Sequence, residues 1–169
     1  GVFIGRVAVN VAGPQLYSGN LVEQTRQILA LHKVPAKYLA LEVTETFIMQ
    51  HSATAIKQLQ LLHDMDIEIA IDDFGTGYSS LSHLKRLPVN KLKIDKSFIN
   101  ELPYNKDDIA ITKTIIALAN SLSLRVIAEG VETEEQAHFL LEHGCDEAQG
   151  YLFCKPVPGD EIERLLRLQ

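Results

Sequence analysis

Asn10, Glu42 with Glu45, Asp72 with Asp73, Lys93 with Asp95, Glu129 with Glu132, and Gln149 recur along this chain at steps of about 20–36 residues. Each sits at or just past the end of a short apolar stretch. The oxygen donors Asn10, Glu42, Asp72, Asp73 and Glu129 suit Mg²⁺ or Mn²⁺, and they include no thiol or imidazole for zinc. Asp72 and Asp73 would raise each other's pKa unless cations neutralised them, which suggests two ions sharing an aspartate. Taken alone, Asp72 to Gly75 also fits an Asp-Asp-x-Gly turn with solvated acids. Lys93, set among carboxylates, would stay charged and could orient an attacking water or stabilise charge on a phosphoryl oxygen. The set describes metal-assisted hydrolysis of a phosphate ester, without saying which ester.

The elements that must position these side chains alternate between strand and helix. Strands are expected over Val7 to Val11, Tyr38 to Glu45, Glu68 to Phe74, Lys91 to Asp95, Leu124 to Glu129 and Ala148 to Phe153. At a strand's frayed end, both Asp72 and Asp73 can reach one pocket. Helices are expected from Asn20 to Lys33, with Asn20 and Glu23 in a capping-box arrangement, and from Ser52 to Met65. Others should span Ser79 to Arg86, Asn105 to Ser121, Thr133 (boxed with Gln136) to Gly144, and Gly159 to Leu168. Six strand-helix units without hairpin signals imply a parallel sheet, and one domain over residues 1–169. In a (β/α)₈ barrel the C-terminal strand ends converge on one mouth, which would gather the polar residues above.

The 169 residues are 46% hydrophobic, enough for one cored domain. A net charge of −6 argues against a groove for long nucleic acids. Cys145 and Cys154 lack zinc-finger spacing and read as free thiols of a reducing cytosol. No apolar run approaches the ~20 residues of a membrane helix, and no signal peptide is visible. Gly1 is not a natural start, so the chain reads as a piece of something longer.

The stretches IDDFGTGYSSL, LEVTE (Leu41 to Glu45), KIDKSF (Lys93 to Phe98), AEGVET (Ala128 to Thr133) and QGYLFCKP (Gln149 to Pro156) resemble the EAL domain, a family of bacterial cyclic di-GMP phosphodiesterases. The resemblance runs from Val7 nearly to the end. It implies a modified TIM (β/α)₈ barrel, two Mg²⁺ or Mn²⁺ ions, and linear pGpG as product, with Ca²⁺ inhibitory. By matching motif, Asn10, Glu42 and Asp72 are expected as metal ligands, with Asp72 shared and Asp73 on the second ion. Glu129 is expected as a metal-site acid and candidate general base, and Lys93 as the residue positioning the water. Glu45 is the expected anchor of the loop after Asp-Asp-Phe-Gly, and Asp95 and Gln149 hold substrate-side or supporting positions. The implied partners are cyclic di-GMP, a second copy in a homodimer, and fused sensory or diguanylate cyclase domains. The implied location is cytoplasmic.

The chain departs from the family at its front. The Glu-Ala-Leu tripeptide and the Arg after it are absent and should lie upstream of Val7. A whole barrel takes about 250 residues, so about six βα units are expected here, with the first two missing. The alternative function is an EAL-fold receptor that binds cyclic di-GMP without cutting it. Retention of the Glu-x-x-Glu, Asp-Asp and Lys positions favours the enzyme. His63-Asp64 spells the dipeptide of the HD hydrolases but lacks further His or Asp at helical spacing, and reads as a helix terminus. Gly75-Thr76-Gly77 lacks the third glycine of a dinucleotide fingerprint. Glu134 and Glu135 open a helix, where acids favour the dipole.

Overall fold

The computed structural model describes residues 5–17, 19–50, 53–77 and 84–167. Six strands lie side by side in chain order: β1 (Val7–Asn10), β2 (Leu39–Thr44), β3 (Glu68–Phe74), β4 (Lys91–Ile94), β5 (Arg125–Glu129) and β6 (Glu147–Gln149). All five pairings are parallel, as expected for strands joined by helical crossovers. Helices α1 (Gly13–Tyr17) and α2 (Leu21–His32) join β1 to β2, and α3 (Glu45–Gln50) and α4 (Ala53–His63) join β2 to β3. Helix α5 (Lys106–Ser121) precedes β5, α6 (Glu134–Glu142) precedes β6, and α7 (Gly159–Leu166) follows it. The result is a half-barrel of about six βα units.

Along each central strand the side chains alternate between two very different faces. Leu41, Val43, Ile69, Ile71, Leu92, Ile94, Val126 and Ala128 are buried in one core with Leu59 and Leu62 of α4, Ile115 and Ile116 of α5 and Leu140 of α6. Each fully buried Leu or Ile there contributes roughly 1.5–3 kcal/mol. The intervening residues make the concave face, where a cavity of about 650 Å³ is lined by Ala40, Glu42, Glu68, Ala70, Lys91 and Arg125 among others. That face carries two charged layers of opposite sense. Near the N-terminal strand ends one buried anion, Glu68, meets Arg6 (3.2 Å), Lys91 (3.2 Å) and Arg125. Near the C-terminal ends one buried cation, Lys93, meets three carboxylates.

Several local expectations are corrected. Asn20 sits at the start of α2 with no side-chain cap, because its near-helical backbone departs from the extended conformation that aims an N-cap side chain at the first turn; the Glu23 carboxylate accepts from Arg26 and Gln27. Tyr38 belongs to a 3-10 turn, Ala36–Tyr38, and Glu45 opens α3, so β2 is shorter than expected at both ends. β6 stops at Gln149: the Gln149 carbonyl accepts from Val131 N–H, and Leu152 N–H turns back to the Val131 carbonyl. Asn105 caps α5 through Asp107 and Asp108 N–H, and the Thr133–Gln136 box forms at α6. The Ser52 cap, residues 79–83 of the expected Ser79–Arg86 helix, and Leu168 lie outside the described residues.

Candidate functional site

The two adjacent aspartates reach one site through a bulge, not a frayed strand end. In the β3–β4 ladder Ile71 pairs with Leu92 and Phe74 with Ile94, so Asp72 and Asp73 together oppose the single residue Lys93. Asp73 has φ 53°, the left-handed conformation that Asp tolerates better than most residues. A bulged residue of this kind redirects its side chain while the strand continues. One carboxylate oxygen each from Asp72, Asp73 and Glu129 lie within 4.8 Å of one another.

Lys93, 3% exposed, is the cationic centre of this cluster. Its Nζ donates to Glu42 Oε2 at 2.8 Å, Asp72 Oδ1 at 2.8 Å and Glu129 Oε1 at 2.7 Å, using all three ammonium hydrogens. Burial alone would depress the ammonium, but the hydrogen bonds to Asp72, Glu129 and Glu42 outweigh it and raise its pKa. Glu129 is raised, chiefly by desolvation; Lys93 partly offsets this, while Asp72 and Glu42 add to it. Asp73 is raised by burial, then by Asp72 and Asp95. Burial would also raise Asp95, but hydrogen bonds from Ser97 and the nearby Lys96 hold it below its ordinary value. Asp95 caps the 3-10 turn Lys96–Phe98 through Ser97 N–H at 2.9 Å, and its carboxylate lies near that of Asp73.

The remaining expected residues lie around this cluster. Asn10 is beside Glu42 in the β1–β2 register, and Gln149 is beside Glu129 in the β5–β6 register; both are exposed. Glu45, 1% exposed, accepts from Gly75 N–H at 2.8 Å. Gly75 has φ 100°, and a Cβ there would fall 2.9 Å from the Phe98 ring, so glycine is required on both counts. The lower ionic layer is what sequence reasoning missed. Lys91 and Arg125 bridge Glu68 to Glu147, at 2.7 Å and 3.2 Å on the Glu147 side. The available signal was placement: Glu68, Lys91 and Arg125 sit in otherwise apolar strands, on the same alternate positions as Asp72, Lys93 and Glu129.

The donors of the upper cluster are oxygen throughout, which suits a hard divalent cation and not zinc or copper. Glu42, Asp72 and Glu129 share the single cation Lys93, and Asp73 adds a further carboxylate to the cluster. No described helix is long and apolar enough to cross a membrane.

Known proteins resemble this chain in both sequence and structure. The chain is 46% identical over 156 residues to the bifunctional diguanylate cyclase/cyclic di-GMP phosphodiesterase MucR of Pseudomonas aeruginosa, covering 92% of this chain and 23% of MucR. It therefore spans less than a quarter of that relative. The EAL domain of Mycobacterium smegmatis DcpA matches with a TM-score of 0.92 at 45% identity, over 96% of this chain and 73% of that one. BlrP1 of Klebsiella pneumoniae, solved with cyclic di-GMP and either calcium or manganese, matches with a TM-score of 0.82 at 32% identity, over 89% of this chain and 39% of that one. Residues 4–156 match the EAL domain itself. The chain belongs to the EAL domain family.

Proposed function

We propose that this chain supplies most of the active site of a phosphodiesterase that hydrolyses cyclic di-GMP to linear pGpG. The observation that carries the reading is the buried Lys93 held by Glu42, Asp72 and Glu129, beside a bulge that adds Asp73 to the same oxygen cluster. Asn10, Glu42, Asp72, Asp73 and Glu129 would hold two Mg²⁺ or Mn²⁺ ions. Bound there, the ions would supply Lewis acidity toward the phosphoryl oxygens and lower the pKa of a water.

The protein's own groups divide the remaining work. Lys93 keeps its proton and can donate to the attacking water or to charge gathering on phosphorus-bound oxygen. Glu129, its pKa raised by burial, would serve as the proton acceptor. Asp95 and Gln149 flank the cluster and would contact the substrate or support its neighbours. Glu45 holds the backbone just after Asp73 and Phe74. The family resemblance is what supports a homodimer, and the name of MucR supports fusion to a diguanylate cyclase domain.

The test is turnover by the full-length protein containing this chain, with pGpG separated chromatographically. Mg²⁺ or Mn²⁺ should support hydrolysis, and EDTA should abolish it. Glu42→Gln and Asp72→Asn should each lower kcat by about 10²-fold or more. Tight binding of cyclic di-GMP with no product would replace the hydrolase by a receptor. Ca²⁺ should permit binding without turnover, because a larger and looser ion positions the water poorly.

A further inference from the structure

Gln136 makes more contacts than its place in the α6 capping box requires. Its Oε1 accepts from Glu132 N–H at 2.7 Å and Thr133 N–H at 3.1 Å, and its own N–H donates to Thr133 Oγ1 at 3.3 Å. A glutamate would serve that box equally and would suit the helix dipole better. What a carboxylate cannot do is donate. Gln136 Nε2 donates to the carbonyls of Ile99 at 3.1 Å and Asn100 at 3.2 Å. All four hydrogen-bonding positions of the amide are used, and a flip would set donors against donors. The side chain is 4% exposed, so water is a poor substitute.

The two segments joined this way are the exits of the strands that carry the site. Glu132 lies three residues past Glu129, and Ile99 four past Asp95 and six past Lys93. They run close together: Gly130 has φ 70°, and a Cβ there would fall 2.7 Å from Lys96 Cβ. The turn beginning at Lys96 is also fixed by Thr112, whose hydroxyl donates to the Phe98 carbonyl, and by Phe98 against Gly75. We infer that Gln136 is a positioning residue that ties the loop leaving β5 to the turn leaving β4, and so holds Glu129 against Lys93. The kinetic part of this inference rests on the hydrolase reading; the structural part does not.

Gln136→Glu in the full-length protein keeps the acceptors and the cap but sets a carboxylate against two carbonyls. Thr133→Ala removes the cap oxygen and keeps the donations to Ile99 and Asn100. Hydrogen exchange over Gly130–Thr133 and Lys96–Asn100 should accelerate about tenfold or more in Gln136→Glu. With Mn²⁺ its kcat for cyclic di-GMP should fall about tenfold or more at a KM within about threefold, and Thr133→Ala should stay within about twofold in kcat. Unchanged exchange in Gln136→Glu, or a kcat that tracks only the folded fraction, overturns the inference. If that variant does not fold, Gln136→Met, of equal length and uncharged, is read by the same criteria. Rapid exchange of Glu132 and Thr133 N–H in the wild type overturns it without any variant. A wild type that binds cyclic di-GMP without cutting it removes the hydrolase reading, and exchange alone then decides.

Discussion

Glu45 and Gly75 are 30 residues apart in sequence, yet the Glu45 carboxylate accepts the Gly75 N–H at 2.8 Å. The same carboxylate lies 3.0 Å from where a Cβ on Gly77 would sit. A buried acid at the start of α3 thus holds the backbone immediately beyond the Asp72–Asp73 bulge. Glu45→Ala should leave Mn²⁺ affinity unchanged and lower kcat by about tenfold, because it loosens the loop without removing a ligand. A normal kcat would show that the contact is dispensable for turnover.

Asp73 is predicted to trade stability for function. Its raised pKa means that ionisation costs the fold: the favourable contribution is whole below the ordinary Asp range and is lost as pH rises through the raised value. Asp73→Asn removes that charge and keeps a residue suited to φ 53°. Without metal at pH 7 it should melt a few degrees above wild type, and it should lose the rise in Tm that Mn²⁺ gives wild type. Scanning calorimetry with and without Mn²⁺ reads both, and a wild-type metal response in the variant would remove Asp73 from the ligand set.

Lys93→Ala leaves Glu42, Asp72 and Glu129 facing one another without their shared cation. Turnover should be lost with cyclic di-GMP affinity within about tenfold, since the role assigned to Lys93 grows in the transition state. The metal-free variant should also gain stability as pH falls below neutral, because protonation relieves the stranded acids. Loss of binding together with activity, measured by titration calorimetry, would make Lys93 mainly a substrate or structural contact.

Glu68→Ala tests the lower layer. Arg6 and Arg125 are partly solvated and Lys91 retains Glu147, so the cost should fall at the low end for a broken buried pair, about 3 kcal/mol. Urea unfolding should show this as a lowered midpoint with an unchanged slope, and a loss well below about 1 kcal/mol would show that the layer contributes little.

The strand-helix order and the acids at the mouth were legible because they depend on local patterning and unit length. The bulge was not, since it exists only in the pairing of β3 with β4: nothing in Ile71–Asp72–Asp73–Phe74 says that two residues will face Lys93 alone. The Glu68 layer was hidden for a similar reason. A glutamate opening a strand reads as solvated until Arg6, Lys91 and Arg125 arrive from other elements. At Asn20 a local rule failed outright, because the backbone there is already near-helical and does not aim the side chain at the first turn. Gln136 was read as a cap, and only the fold brings Ile99 and Asn100 to its other side.

The two cysteines should differ sharply toward a thiol reagent at pH 8. Burial pushes the Cys145 thiol up to about 11, and its Sγ lies 3.2 Å from the Glu147 carbonyl, whereas Cys154 is exposed. Cys154 should react at once and Cys145 only on unfolding. The Cys145 contribution to stability should be whole below about pH 9 and decline toward about pH 11, as the unfolded chain ionises first. Equal labelling rates in the native state would contradict the partly buried placement of Cys145.

If the carboxylates around Lys93 hold two divalent ions that serve cyclic di-GMP hydrolysis, both ions should be visible beside bound substrate. The measurement is anomalous diffraction from a crystal of the full-length protein grown with Mn²⁺ and cyclic di-GMP. Two manganese peaks are predicted, bridged by Asp72, with Asp73 on one of them and a cyclic di-GMP phosphate against both. Manganese absent from this cluster, with Lys93 still bonded to Glu42, Asp72 and Glu129 and the nucleotide bound elsewhere, would contradict it.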